Sequence, residues 1–381
     1  MSYSPDQPGN PPPLTLPPVI PPPRRGRGWM IVATILFVLL GVSMLSNLTH
    51  STKGVSALGH LGHRGHPNRL GDRMYEETVL EDHFSKDKIA VISVTGIITG
   101  HSLDRSGDSL VQSIKDQLEL AGEDKAVKAV LLKVDSPGGE VLASDEIYRA
   151  IVDFQETTDK PVVASMGSLA ASGGYYVSAP CRWIVANELT ITGSIGVIMH
   201  GYNFRGLMNK IGVQPMVFKS GKFKDMLSSD KLPEEVTPEE KRMIQSMIDE
   251  TYGRFQSIVE TGRQAANKAN KANAGKPEDV QGRVLQAGWK DLADGRILSG
   301  KQAWENGFVD ELGNFETAVE RAQKLAGISR ANLVHYEQPM DFMRMFRLFG
   351  QTEARGMKID LGVELPKLLP GRMYFLFPAA L

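Results

Sequence analysis

From Lys88 onward, short β-branched apolar runs alternate with segments of helical period, and this alternation restricts the fold more than any other feature of the chain. Ile89-Ala-Val-Ile-Ser-Val-Thr-Gly-Ile-Ile98 is apolar in almost every position, so both faces of the strand it predicts must be buried. Asp108 to Leu120 follows with Leu110, Val111, Ile114 and Leu118 on one helical face. The alternation continues through a strand at Ala126–Val134, a helix at Val141–Phe154, a strand at Val162–Ala164, a helical Ser172–Ser178 and a strand at Trp183–Ala186. Buried strands separated by helices predict an α/β fold with a mainly parallel sheet. Further along, the pattern predicts a helix at Asn203–Lys210, a strand at Pro215–Phe218 and a long helix at Thr237–Arg263. That long helix opens with a threonine cap and Pro238 at its first position. Residues 264–290, rich in Ala, Asn, Lys and Gly, are expected to form an exposed insertion. Asp294–Gly313 reads as strand–turn–helix–turn and Phe315–Ala326 as a helix.

The first 86 residues are of a different kind. Residues 1–28 are proline-rich, end in Arg24, Arg25 and Arg27, and cannot bury enough apolar surface to fold. Trp29 to Leu48 carries no charge and is long enough to cross the hydrocarbon core of a bilayer. A cleaved signal peptide is the other reading, with Gly41-Val-Ser43 as its cleavage site. The long preceding tail and the apolar continuation to Leu45 favour a retained anchor. The arginines then put the N-terminus in the cytoplasm of a single-pass inner or plasma membrane protein, with the rest of the chain outside it. Residues 49–86 read as a linker, and His60, His63 and His66 within it as solvated side chains rather than metal ligands.

Composition excludes several classes. Hydrophobic residues at 41% and charged residues at 23% are globular values. A formal net charge of −1 leaves no electrostatic footprint for nucleic acid. The single cysteine, Cys181, excludes an intramolecular disulfide and any metal site built from several cysteines, and it is expected to be a buried small hydrophobe.

The stretch richest in chemical possibility is Ala164-Ser-Met-Gly-Ser-Leu-Ala-Ala-Ser-Gly-Gly-Tyr-Tyr-Val-Ser-Ala179. Small residues crowd Ser172, and Gly173-Gly174 permits a bend that a side chain would block. A serine at such a strand-to-helix turn is where an exposed nucleophile sits, although a tight packing turn would look the same. Val134-Asp-Ser-Pro-Gly-Gly-Glu-Val141 is a second such turn, able to offer backbone N–H groups to an oxyanion or a phosphate. It lacks the lysine of a Walker loop and the spacing of a dinucleotide fingerprint, so no cofactor is expected. A nucleophilic serine needs a base. His101, His200 and His335 sit in no recognisable signature. Lys222 and Lys224 offer a serine–lysine dyad, which requires a lysine kept neutral by burial. The chemistry alone does not choose between the two lysines.

Five ordered motifs resemble the signal peptide peptidase A family of serine proteases, in its shorter, single-domain, membrane-anchored bacterial form. They are Asp135-Ser-Pro-Gly-Gly139, Ser165 to Tyr176, Thr192-Gly-Ser-Ile-Gly-Val197, Ser220-Gly-Lys-Phe-Lys-Asp225 and Asp294 to Lys301, within residues 88–326. The resemblance implies a crotonase/Clp-protease-like fold and a Ser/Lys peptidase domain over residues 87–330, followed by a C-terminal extension at 331–381. It implies Ser172 as nucleophile, Lys224 as general base, Gly139 and its neighbour Gly173 as oxyanion-hole donors, and Ser194 as the residue that orients the lysine. It further implies peptide substrates such as cleaved signal peptides or other membrane-associated peptides. In the shorter members serine and lysine meet across subunits of a ring-shaped homo-oligomer. Two other readings remain at this point: an acyl-CoA hydratase or isomerase on the same fold, with Glu140 as its carboxylate, and a non-catalytic membrane scaffold.

Overall fold

The computed structural model describes residues 68–70, 73–100, 109–272, 282–338 and 372–377. The proline-rich tail, the apolar run 29–48, the His60–His66 segment and the amphipathic stretch 340–348 lie outside the described residues. No helix among the described residues is long and apolar enough to cross a membrane.

In chain order, β1 (Asn68–Leu70), β2 (Arg73–Glu81) and β3 (Lys88–Thr95) precede α1 (Leu110–Glu123), β4 (Val127–Ser136), β5 (Gly138–Glu140) and α2 (Val141–Thr158). Next come β6 (Val162–Ala171), α3 (Gly173–Ser178), β7 (Trp183–Ala186), β8 (Ile191–Gly193), β9 (Ile198–Met199), α4 (Arg205–Lys210) and α5 (Pro238–Ala272). The remainder comprises α6 (Trp289–Leu292), β10 (Ile297–Ser299), α7 (Gly300–Glu305), β11 (Glu311–Leu312), α8 (Phe315–Ala326), β12 (Asn332–Glu337) and β13 (Met373–Leu376).

The main sheet runs β1-β2-β12-β3-β4-β6-β7-β11, with β8 beside the end of β6 and β10 beside β8. From β12 through β11 every pairing on this path is parallel, as is β6 with β8. Alternate side chains of the central strands feed two cores, which is why their sequences are apolar in nearly every position. Ala90, Ile92, Val130, Leu132 and Ala164 point into the larger core with α1, α2, α3 and α5. Ile89, Val91, Leu131, Val163 and Val185 pack on the other face against Ala318, Ala322 and Leu325 of α8. A second sheet of three short antiparallel strands, β5-β13-β9, lies beside the ends of β3 and β4, where Ile98 and Gly139 form a single parallel bridge.

Four segments differ from their sequence-based expectation. Strand β6 extends to Ala171, because β8 supplies backbone partners to Leu169, Ala170 and Ala171 where small side chains give no hydrophobic pattern. Pro215–Phe218 forms no strand: Met216, Val217 and Phe218 are exposed, and no neighbouring strand pairs with them. Helix α5 continues through the expected insertion to Ala272, since Ala266, Asn267 and Asn270 are buried there. Asn270 accepts a hydrogen bond from Arg182 Nε at 2.7 Å, so polar residues on this helix read as solvated in sequence are structural. Within the expected linker, β2 pairs with β12, and the Tyr75 hydroxyl donates to Asp116 at 2.8 Å.

Helix α5 is pinned to the sheet by a buried ion pair between Arg263 and Asp310. The Asp310 carboxylate also accepts the N–H groups of Ile184 (2.8 Å) and Arg283 (3.0 Å), which together offset the cost of taking both charges out of water.

Candidate active site

Where β6 ends, the chain turns sharply into α3, and Ser172 stands at the corner with φ 54° and ψ −115°. A side chain in this region of backbone space costs on the order of 1–3 kcal/mol and persists only where the surroundings hold it. Here the Ser172 N–H donates to the Gly193 carbonyl and its own carbonyl accepts the Tyr176 N–H, both at 2.8 Å. Helix α3 is wholly buried. Tyr175 donates its hydroxyl to the Phe308 carbonyl and Tyr176 donates to Asp145, so the helix cannot relax to relieve the corner.

The hydroxyl of Ser172 makes no hydrogen bond, although the residue is only 1% exposed. Leaving a buried polar group unpaired costs free energy. An orphan of this kind, on a strained residue, calls for a functional explanation.

The two glycine-rich turns interlock beside it. A Cβ on Gly139 would lie 1.9 Å from the Ile98 carbonyl oxygen, and a Cβ on Gly173 would lie 2.8 Å from Ser144 Oγ and 3.0 Å from the Gly139 nitrogen. Only glycine lets these backbones approach. Ser136 fixes the first turn by donating its hydroxyl to the Gly96 carbonyl (2.6 Å) and accepting the Gly138 N–H (3.1 Å). Ile98 donates to the Gly138 carbonyl and accepts from the Glu140 N–H, so the peptide groups of Gly139 itself face away from Ile98.

Ser194 joins the same corner. It has φ 50°, is 4% exposed, and donates its N–H to the Arg296 carbonyl at 2.7 Å. Because Ala171 is in register with Gly193, the residues that follow each of them, Ser172 and Ser194, adjoin across the strand ends. Beyond Ser194 opens a cavity of about 430 Å³ lined by Val197, Ile198, Asp249, Tyr252, Asp294 and Leu376, among others. A larger groove of about 780 Å³, between α1 and α2, contains none of the predicted site residues.

Ser172, Gly139, Gly173 and Ser194 are thus gathered at one place, and Lys224 is not among them. Its side chain is exposed in the turn-rich segment after Phe218, and no hydrogen bond joins it to Ser172, whose hydroxyl has no partner. The burial expected to neutralise this lysine is not supplied within a single chain. Lys222 is exposed too, and pairs with Glu239 at 2.5 Å. Glu140, the carboxylate considered for a hydratase, is engaged by Arg372 at 2.7 Å and by the Gly100 N–H at 3.1 Å. Cys181 is fully buried, and burial pushes its thiol up to about 12, against a weaker opposing pull from Arg263.

One contributor was missed in the sequence. Strand β13 lies between β5 and β9, with Phe375 opposite Gly139. Met373-Tyr-Phe-Leu-Phe377 is an apolar, aromatic run of strand-like composition, and its distance along the chain from every other motif concealed its place.

The profile of peptidase family S49 matches residues 155–286 and 281–329, a span that contains Ser172, Ser194 and Lys224. A protein of Enterococcus faecium named for signal peptide peptidase SppA is 39% identical over 270 residues, covering 70% of this chain and 72% of its own. The chain belongs to peptidase family S49. A Synechocystis sp. protein named as a protease is 38% identical over 281 residues, covering 73% of this chain and 89% of its own. Protease 4 of Haemophilus influenzae is 35% identical over 249 residues, 65% of this chain and 36% of its own. Among solved structures, a membrane-bound stomatin-specific protease aligns with a TM-score of 0.37 at 13% identity over 66% of this chain and 98% of its own, a likeness too slight to argue from.

Proposed function

We propose that this S49 member is a serine peptidase of the signal peptide peptidase A type, with Ser172 as nucleophile and Lys224 of a neighbouring copy as general base. The observation that carries the reading is the buried, unpartnered hydroxyl of Ser172 on a strained corner beside two glycine-rich turns. In the reaction, neutral Lys224 accepts the hydroxyl proton as Ser172 Oγ attacks the peptide carbonyl. The N–H groups of Gly139 and Gly173 hold the oxyanion, the protonated lysine passes its proton to the leaving amine, and water then releases the acyl group from Ser172. Ser194 orients the lysine.

Assembly is required because one copy leaves Lys224 in solvent. The segment that carries it exposes Tyr202, Leu207, Ile211, Met216, Phe218 and Leu227, apolar side chains of the kind that mark an interaction surface. A closed ring in which this segment packs on the next copy would bury both this surface and the lysine, lowering the lysine's pKa by desolvation. The apolar run 29–48 is proposed as a single-pass anchor with the peptidase domain outside the cytoplasm. Cleaved signal peptides or other membrane-associated peptides are the proposed substrates. The hydratase reading loses its acid, since Glu140 is held by Arg372.

The test is hydrolysis of quenched fluorescent peptides by the full chain in detergent. Ser172→Ala and Lys224→Ala should each lower the rate by on the order of 10³-fold or more, and wild-type rates in either variant would refute the dyad.

A further inference from the structure

We propose that Asp225 and Lys231 are positioning residues for the general base. A chain of ion pairs, Glu240–Lys231–Asp225, runs from the first turn of α5 to the residue that follows Lys224, and it sets the turn that presents Lys224 to the neighbouring copy. This deepens the reading of Lys224 as base and rests on it.

Apolar packing does not hold this turn. From Gly196 to Arg254 the one buried residue is a carboxylate, Glu240, at 2% exposed. Neither hydrophobic core draws a residue from between Ile198 and Arg254. Against the turn lies a cavity of about 600 Å³ with Arg205, Val217, Phe223, Asp225 and Lys231 among its walls. A segment with so few buried contacts opens locally unless polar contacts fix it.

The polar contacts start from a rigid point. Glu240 closes the capping box of α5: one carboxylate oxygen accepts the Thr237 N–H at 2.7 Å, and the Glu240 N–H donates to the Thr237 hydroxyl at 3.2 Å. The same helix is pinned to the sheet further along by Arg263 and Asp310. The other Glu240 oxygen accepts from Lys231 Nζ at 2.6 Å, and this ammonium lies 3.6 Å from Asp225 Oδ1. Lys231 is 10% exposed, so the pair is shielded from water, and loss of either partner would strand the other charge. Lys219 completes the tie by donating to Asp225 Oδ2 at 2.6 Å.

Four lysines lie between residues 219 and 231. Lys219, Lys222 and Lys231 each spend their ammonium on a carboxylate, whereas Lys224 pairs with none among the described residues. A base must be neutral to accept a proton, and a carboxylate in contact would hold it charged. Lys219 and Lys231 take up the nearest one in sequence, Asp225. The tie thus fixes the turn and leaves Lys224 unclaimed.

Steady-state hydrolysis of a quenched fluorescent peptide by the full chain in detergent tests this with Lys231→Met, Glu240→Gln and the conservative Lys231→Arg. In Glu240→Gln the amide oxygen can still cap the Thr237 N–H while the ion pair is lost. Lys231→Met and Glu240→Gln should each lower kcat about ten-fold or more and leave KM within about two-fold, because a displacement of about 1 Å can cost on the order of 10²-fold. Lys231→Arg should recover most of the loss. Adding Lys231→Met to Lys224→Ala should lower the residual rate no further, since groups that act as a unit are not additive. Wild-type kcat in Lys231→Met and Glu240→Gln, a loss carried by KM, a loss shared by Lys231→Arg, or a further loss in the double variant would each overturn the proposal. If one variant loses its assembly or its cooperative unfolding the other decides, and failure of both would overturn the proposal, because the tie would then serve folding. Lys224→Ala separates the two claims. Wild-type rates there remove the base itself, whereas an inactive Lys224→Ala beside a fully active Lys231→Met removes only the tie.

Discussion

The main-chain N–H of Ser172 donates to the Gly193 carbonyl at 2.8 Å, which ties the strained corner at Ser172 (φ 54°) to a second one at Ser194 (φ 50°). Two residues in backbone conformations that disfavour side chains are thereby made to support each other. The two corners come to adjoin at the end of a rigid parallel sheet, and the sheet rather than either turn bears the strain.

Relief of that strain can be measured. Ser172→Gly should eliminate peptide hydrolysis and raise the unfolding free energy by about 1 kcal/mol, because glycine accepts this backbone and removes the buried, unpaired hydroxyl. Urea denaturation checks it, and a destabilised variant would mean that the corner is not strained.

Close backbone approach at the turn proposed to hold the oxyanion makes a second prediction. Gly139→Ala brings a methyl to 1.9 Å from the Ile98 carbonyl, so the turn must shift and hydrolysis should fall by about 10²-fold or more. Gly253→Ala, where a Cβ meets nothing within 4 Å, is the control and should leave the rate unchanged.

The ion pair under α5 should behave as a buried pair. Asp310→Ala leaves Arg263, 1% exposed, without its counter-charge and should cost about 3–5 kcal/mol of stability by chemical denaturation. Replacing both partners with apolar residues of similar volume should recover most of that loss.

Cys181 supplies a pH signature. Its thiol is pushed up to about 12 by burial, so the folded chain keeps it neutral while the unfolded chain ionises it near the ordinary value of about 8.5. The unfolded state therefore binds fewer protons in between. The stability from this group is fully present below about pH 8.5 and declines as pH rises toward the folded value. Cys181→Ala should flatten the stability curve between about pH 8.5 and 10. In the native protein, Ellman's reagent should not react with Cys181 at pH 8 until the chain is unfolded.

Much of the fold was legible because burial on both faces leaves continuous apolar runs, as in β3, β4 and β7. Ser172 and the two glycine-rich turns were legible because close approach of backbones demands small residues. What escaped the sequence depended on distant partners. The end of β6 is a strand because β8, and β4 through Ser136, lie beside it, and the asparagines of α5 are buried where Arg182 and the Arg283 carbonyl meet them. Strand β13 had no local signal of its place, since that place is defined by β5 and β9, more than 170 residues away. The choice of Lys224 over Lys222 rested on resemblance, and one chain supplies no contact that would have made the choice.

The central claim is that the catalytic serine and lysine come from different copies. Ser172→Ala and Lys224→Ala chains, each inactive alone, should regain activity when co-expressed in equal amounts and purified as one assembly. Random mixing around a ring leaves about a quarter of the sites with both native residues, so the peptidase rate should reach about a quarter of wild type. A mixed assembly as inactive as its two parents would contradict the account.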